Sequence, residues 1–353
     1  MIYGGRSGEH EVSVASAASI FKHLDSTRYD AIPIQIEKSG RWILGAKTPT
    51  ALSAADVFDQ GQTHALQTVE PSAAVTGSDL DVVFPVLHGP YGEDGTVQGL
   101  LELANIPYVG AGVLGSALGM DKAVMKILFA ARGLPNVPHL VIGDLEWMTG
   151  ARAVAARAHE ALGFPIFVKP ANLGSSVGIS KVKTAEDFAQ AMATAFAFDR
   201  KVVVEAGIPN TREIECAVLG NDEPLASVPG EVIVTHPDGF YSYDAKYIDA
   251  DGASVQIPAD LAPEMTDRVR RLSVEAFRVL ELAGMARVDF FLDDKAGALY
   301  INEVNTIPGF TTISMYPKMW AATGVSYPDL LDRLIQLALE RHAQKQRLRT
   351  SVT

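Results

Sequence analysis

The chain has 353 residues, 48% hydrophobic and 20% charged, so it has the length of roughly two or three domains and enough apolar side chain to bury their cores. With 30 Lys and Arg against 42 Asp and Glu, its net charge of −12 is the wrong sign for gripping a nucleic-acid backbone. The one cysteine, Cys216, has no internal disulfide partner, nothing at the N-terminus reads as a secretion signal, and no apolar run nears the roughly 20 residues of a membrane helix; a cytoplasmic protein with no nucleic-acid or membrane partner is expected.

Met1-Ile2-Tyr3 reads as the end of a strand, followed by the glycine-rich Gly4–Gly8 and a helix from about Ser13 to Leu24. Asp30–Ile36 and Leu80–Leu87 read as strands on either side of a polar stretch, Lys47–Ser78. Thr96–Ala104 reads as a helix and Pro107–Val109 as a short strand. This alternation predicts a parallel α/β sheet. Asp121 is placed to cap a helix whose apolar face is Val124, Ile127, Leu128 and Ala131, ended by Gly133 and Pro135. A helix over Ala151–Leu162 follows, then strands Pro165–Lys169 and Ile179–Val182 around a glycine-rich tip, a helix over Ala185–Ala197 and a strand over Val202–Glu205. The alternating Glu213–Val218 opens a more antiparallel region. It ends in strands Ala286–Leu292 and Leu299–Asn305, joined by the turn Asp293–Gly297. Boundaries before the Asp121 helix and near Gly207 divide the chain into 1–118, 119–207 and 208–353. The basic end, with Arg341, Lys345, Arg347 and Arg349, reads as a solvated tail.

The last hairpin carries the most chemistry. Strand alternation puts Arg287 and Asp289 on one face, and Ile301, Glu303 and Asn305 on one face of the partner. A turn centred near Lys295 makes the two faces coincide, so Asp289, Glu303 and Asn305 can gather around one or two hard cations with Arg287 beside them. All-oxygen donors favour Mg²⁺ or Mn²⁺ over zinc. A surface hairpin with a merely wet polar face is the competing reading. The irregular Asn305–Thr312 that follows is rich in backbone donors and hydroxyls and suits an anionic group near a metal.

Gly174-Ser175-Ser176-Val177-Gly178 offers backbone amides to phosphates, with Lys169 ending the strand before it. It is no Walker loop, since a strand follows where a helix should start. The same residues satisfy Gly-x-Ser-x-Gly with Ser176 central, but that elbow also needs a helix, and the only later histidines are His236 and His342, so a serine triad finds no support. Gly110–Gly115 fits the dinucleotide pattern without the acid roughly 20 residues on, and Gly119 and Asp121 should break the receiving helix, so a close-packed loop is expected. His10, between Glu9 and Glu11, lacks zinc-motif spacing. His88-Gly89 with Gly92–Gly95 lies just past an apolar strand, where α/β sheets place ligands.

Seven motifs in order, Gly4–Ser13, His88–Gly95, Met120–Lys122, Lys169-Pro170 with Gly174–Gly178, Tyr243–Tyr247, Ala286–Asp289 and Asn302–Gly309, together resemble the D-alanine:D-alanine ligases, an ATP-grasp family, from residue 1 to about 340. The resemblance implies a mixed α/β fold: an N-terminal parallel α/β domain followed by an ATP-grasp fold of two subdomains with ATP between them. It implies that one D-alanine carboxylate takes the γ-phosphate as an acyl phosphate, which the amine of a second D-alanine attacks. Carried over by motif, Lys122, Lys169, Ser176 and Lys246 would hold ATP phosphates, Glu205, Ala206 and Ile208 would line the adenine edge, and Glu213 would meet the ribose. Asp289, Glu303 and Asn305 match the family's metal ligands for Mg²⁺ or Mn²⁺, two ions being expected. Arg287 would be the guanidinium that stabilises the oxyanion. Glu11 would receive the ammonium of the first D-alanine beside His88, while Gly309, Ser314 and Met315 would hold the second. Tyr247, on a mobile lid, would reach Ser175 and Glu11. The resemblance also implies a homodimer and a place in peptidoglycan precursor synthesis. The alternatives are a D-alanine:D-lactate ligase, against which Tyr247 speaks, and a nucleotide-binding protein without catalysis.

Overall fold

A computed structural model describes residues 1–45, 48–51, 53, 54, 56, 57, 68–76, 79–234, 253–349 and 351. Its strands are β1 (Ile2–Gly4), β2 (Ile34–Ile36), β3 (Trp42–Leu44), β4 (Thr68–Val69), β5 (Pro85–Val86), β6 (His139–Gly143), β7 (Ile166–Pro170), β8 (Ser180–Val182), β9 (Lys201–Ala206), β10 (Thr211–Gly220), β11 (Leu225–Ala226), β12 (Gly230–Val234), β13 (Ala253–Gln256), β14 (Gly284–Asp293) and β15 (Ala298–Asn305). The helices are α1 (His10–His23), α2 (Pro71–Thr76), α3 (Thr96–Leu103), α4 (Val113–Met120), α5 (Lys122–Ala131), α6 (Asp144–Leu162), α7 (Phe188–Phe196), α8 (Pro263–Val279), α9 (Met315–Ala322) and α10 (Tyr327–Gln346).

They build three sheets. The first has the order β4-β3-β2-β1-β5, with β1 parallel to β2 and β5 as the alternation predicts, while β3 and β4 add an antiparallel edge. The second runs β6-β9-β7-β8 and is antiparallel throughout. The third runs β13-β12-β10-β14-β15, also antiparallel, with β11 on β10. The chain ends share one core: Tyr3, Val14, Ala17 and Ile20 pack with Tyr316, Trp320, Leu330 and Leu334. This brings the loops after β1 and β5 up to β15, where the site lies.

Three expectations are corrected. In α5 the buried face is Lys122, Met125, Lys126 and Phe129, and Ile127 is 60% exposed. Asp121 caps the helix as expected, accepting from the Ala123 and Val124 amides at 3.1 Å. The phase differs from the expected one because two lysines occupy the inward face. Residues Gly110–Gly115 are not simply a loop: α4 starts after Gly112. Gly115 and Gly119 let it approach closely, since an added Cβ would lie 2.6 Å from the Glu281 carbonyl oxygen and 2.5 Å from Thr306. The basic end is not a free tail. Arg341 donates to the Gly110 and Tyr108 carbonyls at 2.5 and 3.1 Å and lies over the Tyr108 ring, while Lys345 pairs with Glu102.

Candidate active site

The β14–β15 hairpin is the floor of the site. From the turn, Asp293 faces Ala298 and Phe290 faces Ile301, but one step later Asp289 faces Glu303, so Asn302 is an extra residue. A bulge of this kind inverts the alternation beyond it. Ile301 is therefore fully buried in the core, not on the site face, while Glu303 comes opposite Asp289 and Asn305 opposite Arg287. Without the bulge, the observed turn would set Asn302 against Asp289 and turn Glu303 inward.

Arg287 grips Asp289 with a two-pronged hydrogen bond, Nε to Oδ1 at 2.7 Å and Nη2 to Oδ2 at 2.6 Å. The Asn305 amide also donates to Asp289 Oδ2, at 2.9 Å. On the neighbouring strand Glu215, which faces Asp289, places Oε2 3.0 Å from Arg287 Nε. Burial alone would favour loss of the Arg287 proton, but Asp289 and Glu215 hold it well above its ordinary pKa. The guanidinium is a fixed positive charge.

A cleft of about 310 Å³ opens over this floor toward the central sheet. Lys122, Lys169, Ser175, Ser176, Glu205, Ala206, Ile208, Glu213, Asp289 and Glu303 all line it, with Phe167 and Phe291 as apolar walls. Lys122 donates to the Leu173 carbonyl at 2.7 Å and pairs with Glu303 at 3.1 Å. Lys169 reaches Glu205 at 2.7 Å and Asn302 Oδ1 at 3.1 Å. Burial would raise the Glu205 carboxyl, but Lys126 and Lys169 on either side hold it at about 2. Above, Ser175 and Ser176 take the left-handed φ values of +49° and +60°, an arrangement that turns successive amides to one side. Gly174 is needed because a Cβ there would lie 2.8 Å from Glu9 Oε2.

A second cavity, of about 90 Å³, continues from the cleft and shares Ser175, Glu215, Arg287 and Glu303 with it. His88, Gly309, Ser314 and Met315 line it. Glu11 does not. It turns to Lys38, 2.5 Å away, and of the two acids at the start of α1 the one that lines the cavity is Glu9, which accepts a hydrogen bond from the Ser175 hydroxyl. The two acids stand two residues apart at the start of α1, roughly 200° around a helix, so only one faces inward. His88 bonds the Ile307 carbonyl through Nδ1 at 3.0 Å, and burial lowers its pKa, which leaves a neutral ring. Glu93 accepts from the Gly89 and Ile307 amides at 2.7 and 3.0 Å, and burial together with Glu9 pushes it up to about 8. Ser314 accepts from the Thr311 amide at 2.9 Å and stands before α9. Lys246 and Tyr247 lie outside the described residues.

Residues 1–111 match the family described as D-ala D-ala ligase N-terminus, and residues 128–336 match the one described as D-ala D-ala ligase C-terminus. The chain belongs to the D-alanine–D-alanine ligase family. It is 49% identical over 360 residues to the D-alanine–D-alanine ligase of Heliobacterium modesticaldum, covering 98% of this chain and 96% of that one. Against D-alanine–D-alanine ligase A of Escherichia coli K12 it is 46% identical over 364 residues, covering 100% and 98%. Among solved structures, the D-alanine–D-alanine ligase from Coxiella burnetii superposes with a TM-score of 0.81 at 38% identity, covering 98% and 94%. A D-Ala:D-Ser ligase from Enterococcus faecalis gives 0.80 at 36% identity, covering 96% and 98%. The fold is that of an ATP-grasp ligase.

Among the described residues no three His, Cys, Asp or Glu side chains group for a metal, because the hairpin offers two carboxylates and an amide. That set fits a hard divalent cation that fills its remaining positions with phosphate oxygens and water. Five residues of the site escaped the sequence reading: Glu9, Glu93, Lys126, Glu215 and Asn302. Glu215 carried a usable signal, since it lies on the Glu213 face of an alternating strand. The others depend on a loop, a helix phase or a bulge. Among the described residues no helix is long and apolar enough to cross a membrane.

Proposed function

We propose that the protein is an ATP-dependent ligase that joins two D-alanines into D-alanyl-D-alanine for peptidoglycan precursors, working in the cytoplasm as a homodimer. The observation that carries this reading is the wall common to the two cavities. Arg287, Glu303, Ser175 and Glu215 border both a cation-lined cleft that fits a nucleoside triphosphate and a smaller cavity with a carboxylate, Glu9, suited to an ammonium. Lys122 and Lys169 orient the phosphate chain, and the 174–178 amides close over it. A carboxylate oxygen of the first D-alanine attacks the γ-phosphorus, ADP leaves, and an acyl phosphate forms. The amine of the second D-alanine attacks the acyl carbon, inorganic phosphate leaves, and a proton is lost from nitrogen. Arg287 stabilises the oxyanion of that tetrahedral intermediate. Asp289, Glu303 and Asn305 would hold Mg²⁺ or Mn²⁺, in two ions, which would supply charge neutralisation at the phosphates. Tyr247 would close over Ser175, keeping water from the acyl phosphate.

Phosphate release with ATP, Mg²⁺ and D-alanine, with the product identified by mass, tests the reading. A D-alanyl-D-alanine product and no turnover of L-alanine is expected. Nucleotide binding without turnover would favour a non-catalytic protein. Because a D-Ala:D-Ser ligase is among the similar structures, D-serine belongs beside D-lactate as a competing acceptor. A preference for D-lactate would select the ester-forming alternative.

A further inference from the structure

Lys126 is fully buried on α5, one turn after Lys122, and does not line the cleft. Its ammonium lies 3.0 Å from Glu205 Oε1 and 3.3 Å from the Asn302 carbonyl oxygen. The other oxygen of Glu205 meets Lys169, 2.7 Å away. One buried carboxylate therefore carries two ammonium groups, one in the cleft and one behind it. A fully buried lysine is costly and persists only where its charge is needed. Packing does not ask for one here: Met125 and Phe129 on the same face fill the core.

The charge balance says what it is for. If Lys169 were the sole partner of Glu205, the pair would be neutral, and a phosphate chain could take Lys169 only by leaving a buried carboxylate uncompensated. With Lys126 behind, Glu205 keeps an ammonium 3.0 Å from Oε1 when Lys169 turns to the phosphates. The surplus charge belongs to Lys169. We propose that Lys126 is a positioning residue that neutralises Glu205 from behind and so frees Lys169 to bind the nucleotide phosphate chain. This rests on the nucleotide reading of the cleft and assigns a role to a side chain that never meets the nucleotide.

The test titrates the full chain with β,γ-imido-ATP and Mg²⁺, and separately with adenosine, which lacks the phosphates. Wild type must bind the imido nucleotide; if it does not, the nucleotide reading itself fails. Lys126→Met should weaken the imido nucleotide about tenfold or more, the scale of one charge-assisted contact, while adenosine changes less than about twofold. In a Glu205→Gln background the same Lys126→Met change should cost less than about threefold, because the carboxylate that sequesters Lys169 is gone. Undiminished affinity in Lys126→Met overturns the proposal, and so does an equal loss for adenosine, which would mean general damage. Should Lys126→Met not fold, the double variant, in which two buried charges become neutral, still decides. Read against Glu205→Gln alone, which carries any cost to the adenine edge, affinity within about threefold is expected, and a further tenfold loss overturns the proposal.

Discussion

The nucleotide cleft and the smaller cavity beside it share a wall yet differ in their cations: of the described residues, three lysines stand among the carboxylates of the cleft, whereas Arg287 alone faces those of the cavity. The cleft presents Lys122, Lys169 and Lys181, with Lys126 behind them, whereas the cavity gathers Glu9, Glu93, Glu215 and Glu303 around Arg287. Burial penalises the charges of Glu205 and Glu93 alike, and the neighbours decide what remains. Glu205, between two lysines, is held at about 2, while Glu93, near Glu9, is pushed up to about 8. One compartment is thus prepared for a polyanion and the other for an ammonium. Arg287 stands at the junction, where negative charge develops.

Removing that junction should have the largest effect. Asp289→Ala or Glu303→Ala should lower turnover on the order of 10³-fold or more, measured as phosphate release, because each removes a donor for the cation and Asp289→Ala also removes the anchor of Arg287. Near-normal rates in both would remove the metal site from the hairpin. Arg287→Ala should cost about 10²- to 10³-fold, the scale of a lost oxyanion donor, with nucleotide affinity less affected. If the loss appeared in nucleotide affinity instead, Arg287 would belong to the cleft alone.

A finer division concerns the acids at the start of α1. Glu9→Gln should lower kcat/KM for D-alanine about 10- to 100-fold, since a charged contact with the substrate ammonium is lost. Glu11→Gln, which only releases Lys38 at the surface, should stay within about threefold. The reverse ranking would mean that Glu11 swings inward when substrate binds.

The contrast between Glu9 and the hairpin shows which features a sequence discloses. Along a strand the period is two, so Arg287 and Asp289 declare a common face by their spacing alone. The partner strand is legible only as far as the bulge, whose extra residue, Asn302, is a long-range consequence of packing. Glu9 and Glu11 flank one histidine in a loop-to-helix transition, where no period operates, and only Ser175 and Lys38 tell them apart. The α5 helix misleads for a physical reason as well: its inward face holds two lysines, paired with Glu303 and Glu205, so its apolar residues alone do not mark the buried face. The parallel pairing of β1 with β2 and β5, by contrast, follows from strands alternating with helices, and the antiparallel β14–β15 hairpin from two strand patterns around a turn. Where chemistry displaces hydrophobicity, periodicity points the wrong way.

The smallest and most discriminating effect is in the pH dependence of stability, where the two compartments should leave opposite marks. Glu205 has a folded pKa of about 2, below the ordinary carboxyl value of 4.5, so its contribution is present above about pH 4.5 and is lost as pH falls toward 2. Glu93 has a folded pKa of about 8, above 4.5, so the folded state binds the extra proton between those values and stability declines as pH rises through that window. Thermal melting of wild type from about pH 5 to about pH 8 should therefore include a downward component that Glu93→Gln flattens, since the amide cannot ionise. Glu205→Gln should leave that limb unchanged and flatten the acid one. If Glu93→Gln left the neutral-to-alkaline limb as steep as wild type, burial and the nearby Glu9 would not be raising Glu93.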